Sequence, residues 1–205
     1  MNKTKTKTID KILIAAEKEF SLRGIDGAKI ENIARDAGVT KQLIYHYFKT
    51  KNQLYCAILE EVSNDMKIIT NLDAYTDLSP IEAIKRFINA IFDEFIKHPS
   101  YTAFTLDQAL HGGKHITQAS SFIPSTRTYI QKIIAPALSA GAEQKIFKPE
   151  LDPEIIFWMI FHLITACFLN QKVMSETSSI DFSNSTGIQI WRESTIRFIL
   201  DALAA

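Results

Sequence analysis

An all-α fold is predicted by three observations. Apolar residues recur at helical spacing along most of the chain, and runs that alternate with a period of two are few. The chain also carries only 7 Gly and 6 Pro in 205 residues, which excludes a collagen-like or low-complexity polymer. The length allows one large domain or two unequal ones. It is enough to bury a sizeable core without disulfide or metal staples.

The elements follow in order. Ile9, Ile12, Leu13, Ala16 and Phe20 form one apolar stripe of a helix over 8–23, with Thr8 as a candidate N-cap and Gly24 as its stop. A short helix spans about Lys29 to Ala37, with Ile30, Ile33, Ala34 and Ala37 on one face and Gly38 as its end. Thr40 caps a third helix from Lys41 to about Phe48. A fourth starts near Lys51 and is expected to reach about Leu72, burying Leu54, Tyr55, Ile58, Leu59 and Val62.

Ser79-Pro80-x-Glu82 opens a helix to about Lys97, with Pro at its first position. Further helices are expected over about 101–110 (ended by Gly112-Gly113), 120–140 (stopped by Gly141), 153–170 (capped by Asp152) and 188–203. Residues 175–187, rich in Ser and Thr, read as a flexible loop. The count is about nine helices, with a division into a head of residues 1–55 and a body of residues 56–205.

Charge follows the same division. The whole chain is neutral, 23 basic against 23 acidic residues, yet residues 1–55 hold 11 basic and 6 acidic ones. A basic head on an acidic body allows the head to meet a polyanion. Cys56 and Cys167 form neither a CxxC nor a disulfide framework, which points to a reducing compartment. The N-terminal MNKTKTKTIDK has no apolar run of the secretory kind, so a cytoplasmic protein is expected. The sequon at Asn184 carries no expected meaning in that setting.

Residues 29–48 have the lengths of a DNA-binding helix-turn-helix. The second helix of such a unit enters the major groove with its N-terminal residues at the base edges. Ile44 and Phe48 mark its buried side, and Thr40, Lys41 and Gln42 stand at its start. Tyr45, His46 and Tyr47 offer two phenols and an imidazole to phosphates; on a helix they cannot all face one core. Lys51 and the start of the fourth helix supply charge and free N–H groups, a phosphate seat. Lys29, Lys41, Lys49 and Lys51 should make affinity salt-dependent.

The run Ile33-Ala34-x-x-Ala37-Gly38-Val39-Thr40-Lys41-x-x-Ile44-Tyr45-x-Tyr47-Phe48-Lys49-x-Lys51-x-x-Leu54 resembles the N-terminal signature of the TetR family of bacterial transcriptional regulators. The likeness spans residues 8–58; the rest is similar only in length, helix count and layout. The resemblance implies a homodimer, with a three-helix head and a larger helical ligand-binding and dimerisation body in each subunit. It implies a pseudo-palindromic double-stranded operator and a small-molecule effector that changes the separation of the heads and releases DNA.

By the same likeness Lys41 and Gln42 face bases, while Thr40, Tyr45, Tyr47 and Lys51 meet phosphates. The sequence departs from the pattern at Ala28, where a capping Thr is common, and at Leu43, where a small or hydroxylated residue is common. Lys29 could supply the phosphate contact that Ala28 lacks, and Leu43 could touch a thymine methyl or pack against the body.

In the body, Phe92, Phe104, Phe122, Trp158 and Phe161 are candidate walls of an apolar effector pocket, with Gln108, His111 and His162 as polar groups. Taken singly, each of these residues reads better as ordinary core; taken together, and given the layout the resemblance implies, some are expected to line a cavity. With the last two long helices as the dimer contact, Trp158, Phe161, Phe168, Trp191 and Phe198 are its candidate residues. His111 and His115 have the i, i+4 spacing of metal ligands, but Gly112-Gly113 interrupts the helix, so no metal is expected.

The stretch 155–169 is apolar all round; at fifteen residues with an internal His it reads as buried rather than membrane-spanning. Nucleotide-binding, metalloprotease and serine-hydrolase motifs are absent. No enzyme activity and no cofactor are expected. A helical small-molecule-binding protein or enzyme with a vestigial helix-turn-helix is the alternative left open.

Overall fold

The structure is a computed structural model that describes residues 3–65, 69–119 and 121–205. Its α-helices are α1 (Lys3–Gly27), α2 (Ile30–Ala37), α3 (Lys41–Phe48), α4 (Lys51–Asp65), α5 (Pro80–Lys97), α6 (Ser100–Leu110), α7 (Lys114–Ala119), α8 (122–143), α9 (Pro153–Thr177) and α10 (Ser185–Leu203). A 3-10 segment, Ile69–Tyr75, precedes α5, and α8 contains a π-helical turn, Ile130–Ile134. Among the described residues β-structure is limited to one isolated bridge between Phe147 and Ala204.

The chain forms two compact units. The first comprises residues 1–65 and 98–123, the second residues 66–97 and 124–205.

The core of the first unit is the expected stripe set. Ile12, Ala16 and Phe20 of α1, Ile30, Ile33 and Ala34 of α2, Ile44 of α3, and Leu54, Tyr55, Ile58 and Leu59 of α4 are all buried. Phe104 of α6 belongs to the same cluster, with Ile116 of α7 packed against it. The rings of Phe20 and Phe104 lie 4.9 and 6.0 Å from that of Tyr55. A boundary at residue 55 would cut α4 through this core. The head closes only when α6 and α7 supply Phe104 and Ile116.

Three boundaries of this unit differ from expectation. Thr8 lies inside α1 rather than at its start. The expected stop at Gly24 is a break within α1, at φ 63° and ψ 177°. A Cβ there would lie 2.7 Å from Asp107 Oδ1, so glycine admits both the positive φ and the close approach of α6. The fourth helix is described as far as Asp65; its expected continuation toward Leu72 falls on residues 66–68, outside the described residues, and on the 3-10 segment that starts at Ile69. Between α6 and α7, Gly112 and Gly113 turn the chain at positive φ, and α7 follows where no helix is expected.

In the second unit α5 packs against α8, α9 and α10. Its buried side is Ala83, Ile84, Phe87, Ile88, Ile91, Phe92 and Phe95. Phe87 meets Tyr129 and Phe157, and Phe95 stacks on Phe168 at 5.2 Å. Arg192 of α10 bonds Asp93 at 2.6 Å and lies over the Phe92 ring.

Gly141 does not end α8. It is an interior position that the Phe147 ring covers so closely that a Cβ would lie 2.1 Å from it. The glycine is there for ring packing, not for chain reversal.

Asp152 caps α9 as expected, accepting from the N–H groups of Glu154 and Ile155 at 2.8 and 3.2 Å. The helix runs on to Thr177, so the connecting loop is shorter than expected, 178–184. Asn184 ends it by accepting from Gly187 N–H at 2.9 Å, which makes this Asn a helix cap. At 25 residues α9 is long and apolar enough to cross a membrane by length and composition alone, so the expected length argument against a span does not hold. Its packing carries the point instead: Ile156, Phe157, Ile160, Ile164 and Phe168 are buried within the unit.

Candidate nucleic-acid interface

The first unit builds α3 from a cap and one buried anchor. Thr40 has extended backbone and its Oγ1 accepts from Leu43 N–H at 3.2 Å, which fixes the start of α3. Ile44, 1% exposed, pins the helix to the head core. The side chains of Lys41, Gln42, Tyr45, His46 and Lys49 are exposed. The spacing of Lys41, Gln42, Tyr45 and His46, i, i+1, i+4 and i+5, places them on one face, and Lys49 follows as the C-cap at φ 55°. Tyr47 is half-buried, in edge contact with His46 at 5.3 Å and Phe48 at 6.4 Å. It therefore splits from the other two members of the aromatic run. Leu43 is half-buried.

The start of α2 is stabilised in a way the sequence did not announce. Lys29 is its N-cap and makes no side-chain cap bond, while Ala28 is buried. Glu19 of α1 does the work: its Oε1 accepts from Lys29 N–H at 3.1 Å and from Asn32 Nδ2 at 2.8 Å. A carboxylate at a helix N-terminus meets both orphan donors and the helix dipole. Burial pushes the Glu19 carboxyl up, but Asn32, Lys29 N–H and Arg23 outweigh it and hold the group below its ordinary value.

Lys51, at the start of α4, is half-buried, and its Nζ donates to the carbonyls of Asp26 and Ala28 at 3.3 and 3.2 Å. An ammonium has three donors, so one remains for a phosphate. Lys49 Nζ donates to His46 O at 3.0 Å. Lys41 differs: its Nζ lies 2.8 Å from Glu31 Oε1. No sequence signal pointed to Glu19 or Glu31, because both act across helices rather than at helical spacing.

The same unit holds a buried polar node. Asp107 of α6 accepts from Ile25 N–H at 3.1 Å, just past the break in α1, and from the Tyr55 hydroxyl. Gln108 donates from Nε2 to Tyr55 Oη and accepts at Oε1 from Ile116 N–H, both at 3.0 Å. Burial and the neighbouring Asp107 push the Tyr55 phenol far up, so it stays a donor. His111 places Nδ1 2.7 Å from Asp107 O and Nε2 3.2 Å from Asp26 Oδ2. Two oxygen acceptors favour the imidazolium, and Asp107 O followed by Asp26 raises the His111 value. Burial lowers that of His115.

The candidate pocket residues do not converge within either unit. Phe104 and Gln108 lie in the head core and node, His111 is tied to Asp26 and Asp107, and Phe122 belongs to the same unit. In the second unit Phe92 is buried beneath Arg192, and Phe161 stacks on Phe157. Trp158 and His162 line an open apolar groove of about 840 Å³ with Ile155, Met159 and Phe198.

Of the candidate dimer residues, Trp158 and Phe198 are exposed, Phe198 by 63%. Phe168 is buried against Phe92 and Phe95. Trp191 is half-buried, with its indole N–H on Leu163 O at 2.9 Å. Phe168 and Trp191 thus pack within their own unit; Trp191 shares its helical phase with Phe198, but the Phe182 ring lies edge-on to its indole at 5.9 Å. Among the described residues no group of three or more His, Cys, Asp or Glu side chains could hold a metal ion.

Residues 12–58 match the model described as bacterial regulatory proteins, tetR family. Residues 80–199 match tetracyclin repressor-like, C-terminal domain. The chain belongs to the TetR family.

Among curated relatives, the transcriptional regulator RutR of Escherichia coli K12 is 38% identical over 73% of this chain and 68% of its own. The transcriptional repressor NicS of Pseudomonas putida is 25% identical over 90% of this chain and 87% of its own. Among solved structures, the regulator FadR of Bacillus subtilis, in complex with stearoyl-CoA, aligns with a TM-score of 0.71 at 18% identity. That alignment covers 94% of this chain and 98% of that one. The α2–α3 pair is therefore the helix-turn-helix of a transcriptional regulator.

Proposed function

We propose that this TetR-family chain is a ligand-responsive repressor, acting in the cytoplasm as a homodimer on a pseudo-palindromic operator. The observation that carries this reading is the single exposed face of Lys41, Gln42, Tyr45 and His46 on a helix capped by Thr40 and anchored by Ile44. In the proposed assignment Lys41 and Gln42 read base edges. Thr40, Tyr45, His46, Tyr47, Lys29 and Lys51 meet the backbone, where contacts fix register without carrying sequence.

The dimer is proposed to close the groove on α9 and α10. Ile155, Trp158, Met159 and Phe198 leave there an apolar face of the kind a second copy covers. Two recognition helices would then stand about 34–36 Å apart, or a multiple, matching successive major grooves. A small-molecule effector bound in the second unit would favour a spacing that does not fit DNA; couplings of about 1–3 kcal/mol are typical.

The test is a selection of bound sequences from random duplexes with the full-length protein, repeated in the presence of a metabolite panel. An enriched inverted repeat, lost with one compound, supports the reading. Failure to enrich any sequence at low salt, with and without the panel, refutes it.

A further inference from the structure

The recognition helix begins with a cation that is already engaged. Lys41, its first residue, holds Glu31 of α2 at 2.8 Å, and both side chains are about half exposed, 49% and 61%. The neighbouring cations are held differently. Lys49 and Lys51 rest on backbone carbonyls, which leave their positive charge uncancelled. Lys41 instead faces a full carboxylate on the reading face. The mutual hydrogen bond holds the Lys41 ammonium above and the Glu31 carboxyl below their ordinary values, so both stay charged at neutral pH. Lys29 adds a further positive field at Glu31.

We propose that Glu31 is a specificity-determining residue, whose carboxylate releases Lys41 only to a base edge that replaces it as acceptor. This rests on the reading of α3 as the recognition helix. An exposed ion pair is weak, so exchange is reversible and cheap where a substitute exists. The major-groove edge of guanine is such a substitute, with O6 and N7 both accepting. Where the base offers a donor instead, Lys41 stays with Glu31 and contributes neither a base contact nor net charge. Glu31 also stands in the field of the phosphates and opposes binding there. The repulsion falls on every duplex alike, whereas the withheld Lys41 is lost only to unmatched DNA, so Glu31 raises the ratio between them.

The experiment uses full-length protein and two duplexes of equal length, one enriched in the selection and one of random sequence. Fluorescence anisotropy is read across a salt series for wild type, Glu31→Gln, Glu31→Asp, Lys41→Ala and the Glu31→Gln/Lys41→Ala double variant, each first shown to melt like wild type. Glu31→Gln should bind the random duplex several-fold more tightly and change little on the enriched one. Its salt slope on random DNA should steepen by about one per subunit, as for one added phosphate contact. Glu31→Asp keeps the charge but shortens the reach, and should fall between. In the Lys41→Ala background the Glu31→Gln change should leave the specificity ratio unmoved.

Equal tightening on both duplexes, or none on either, overturns the proposal while leaving DNA binding intact. Wild-type protein that binds neither duplex refutes the DNA-binding reading itself, and the role of Glu31 with it.

Discussion

Replacing Asp107 with Ala tests the buried node directly. Asp107 is 8% exposed and is the acceptor for two buried donors, Ile25 N–H and the Tyr55 hydroxyl. The substitution leaves both without an acceptor. A buried donor stripped of its partner costs about 1–3 kcal/mol. Two give roughly 2–6 kcal/mol, and relief of the carboxylate's own desolvation places the net in the lower half of that range, about 2–4 kcal/mol. For a chain of this size each kcal/mol moves Tm by about 2–4 °C, so a fall of roughly 4–16 °C is expected.

Urea and thermal melts followed by far-ultraviolet circular dichroism measure it. Trp158 and Trp191 both lie in the second unit, so their fluorescence distinguishes loss of the head from loss of the whole. The cycle with Tyr55→Phe should be non-additive, because the two changes remove the same hydrogen bond. A stability within about 0.5 kcal/mol of wild type, or strict additivity, would refute the claim that Asp107 ties α6 to α1 and α4.

Further expectations concern the interface, the dimer and pH. Lys51→Ala should weaken binding to all duplexes alike and lower the salt slope by about one per subunit. Gln42→Ala should relax preference at one operator position, and an unchanged selected sequence would remove it from base reading. Phe198→Glu should yield monomers by light scattering while leaving the helical content intact; a persistent dimer would place the interface elsewhere.

His111 gains acceptors on folding, so its value is raised above the ordinary 6.5. Its contribution is then full below the unfolded value and lost as pH rises through the folded one. His115, lowered by burial, acts in the opposite sense: its contribution is present above the unfolded value and lost on acidification. His111→Asn should therefore flatten the fall in stability above pH 6.5 and expose the acid-side loss from His115, read from melts across that range.

Much of the head was legible in the sequence because its signals are local. A cap, a glycine and apolar residues three or four apart specify the helix-turn-helix, and Thr40, Gly38 and Ile44 do in the structure what those positions imply. The exposed face of α3 follows from the same phase. Two nearby positions serve roles that their residue types do not announce: Gly141 makes room for the Phe147 ring inside α8 rather than ending a helix, and the sequon residue Asn184 caps α10.

By itself, then, the sequence determined the fold class and the helix-turn-helix, since helical periodicity and capping need only neighbours along the chain, and the run from Ile33 to Leu54 carried the resemblance to the family. Only the tertiary structure decided that α6 and α7 complete the head core. It alone showed Glu19 serving the start of α2, Asp107 holding the break at Gly24, and Glu31 engaging Lys41. These are pairings between groups 10 to 82 residues apart. A buried or shared polar group takes whichever partner the packing brings within about 3 Å, and no periodicity in the sequence records which one that is.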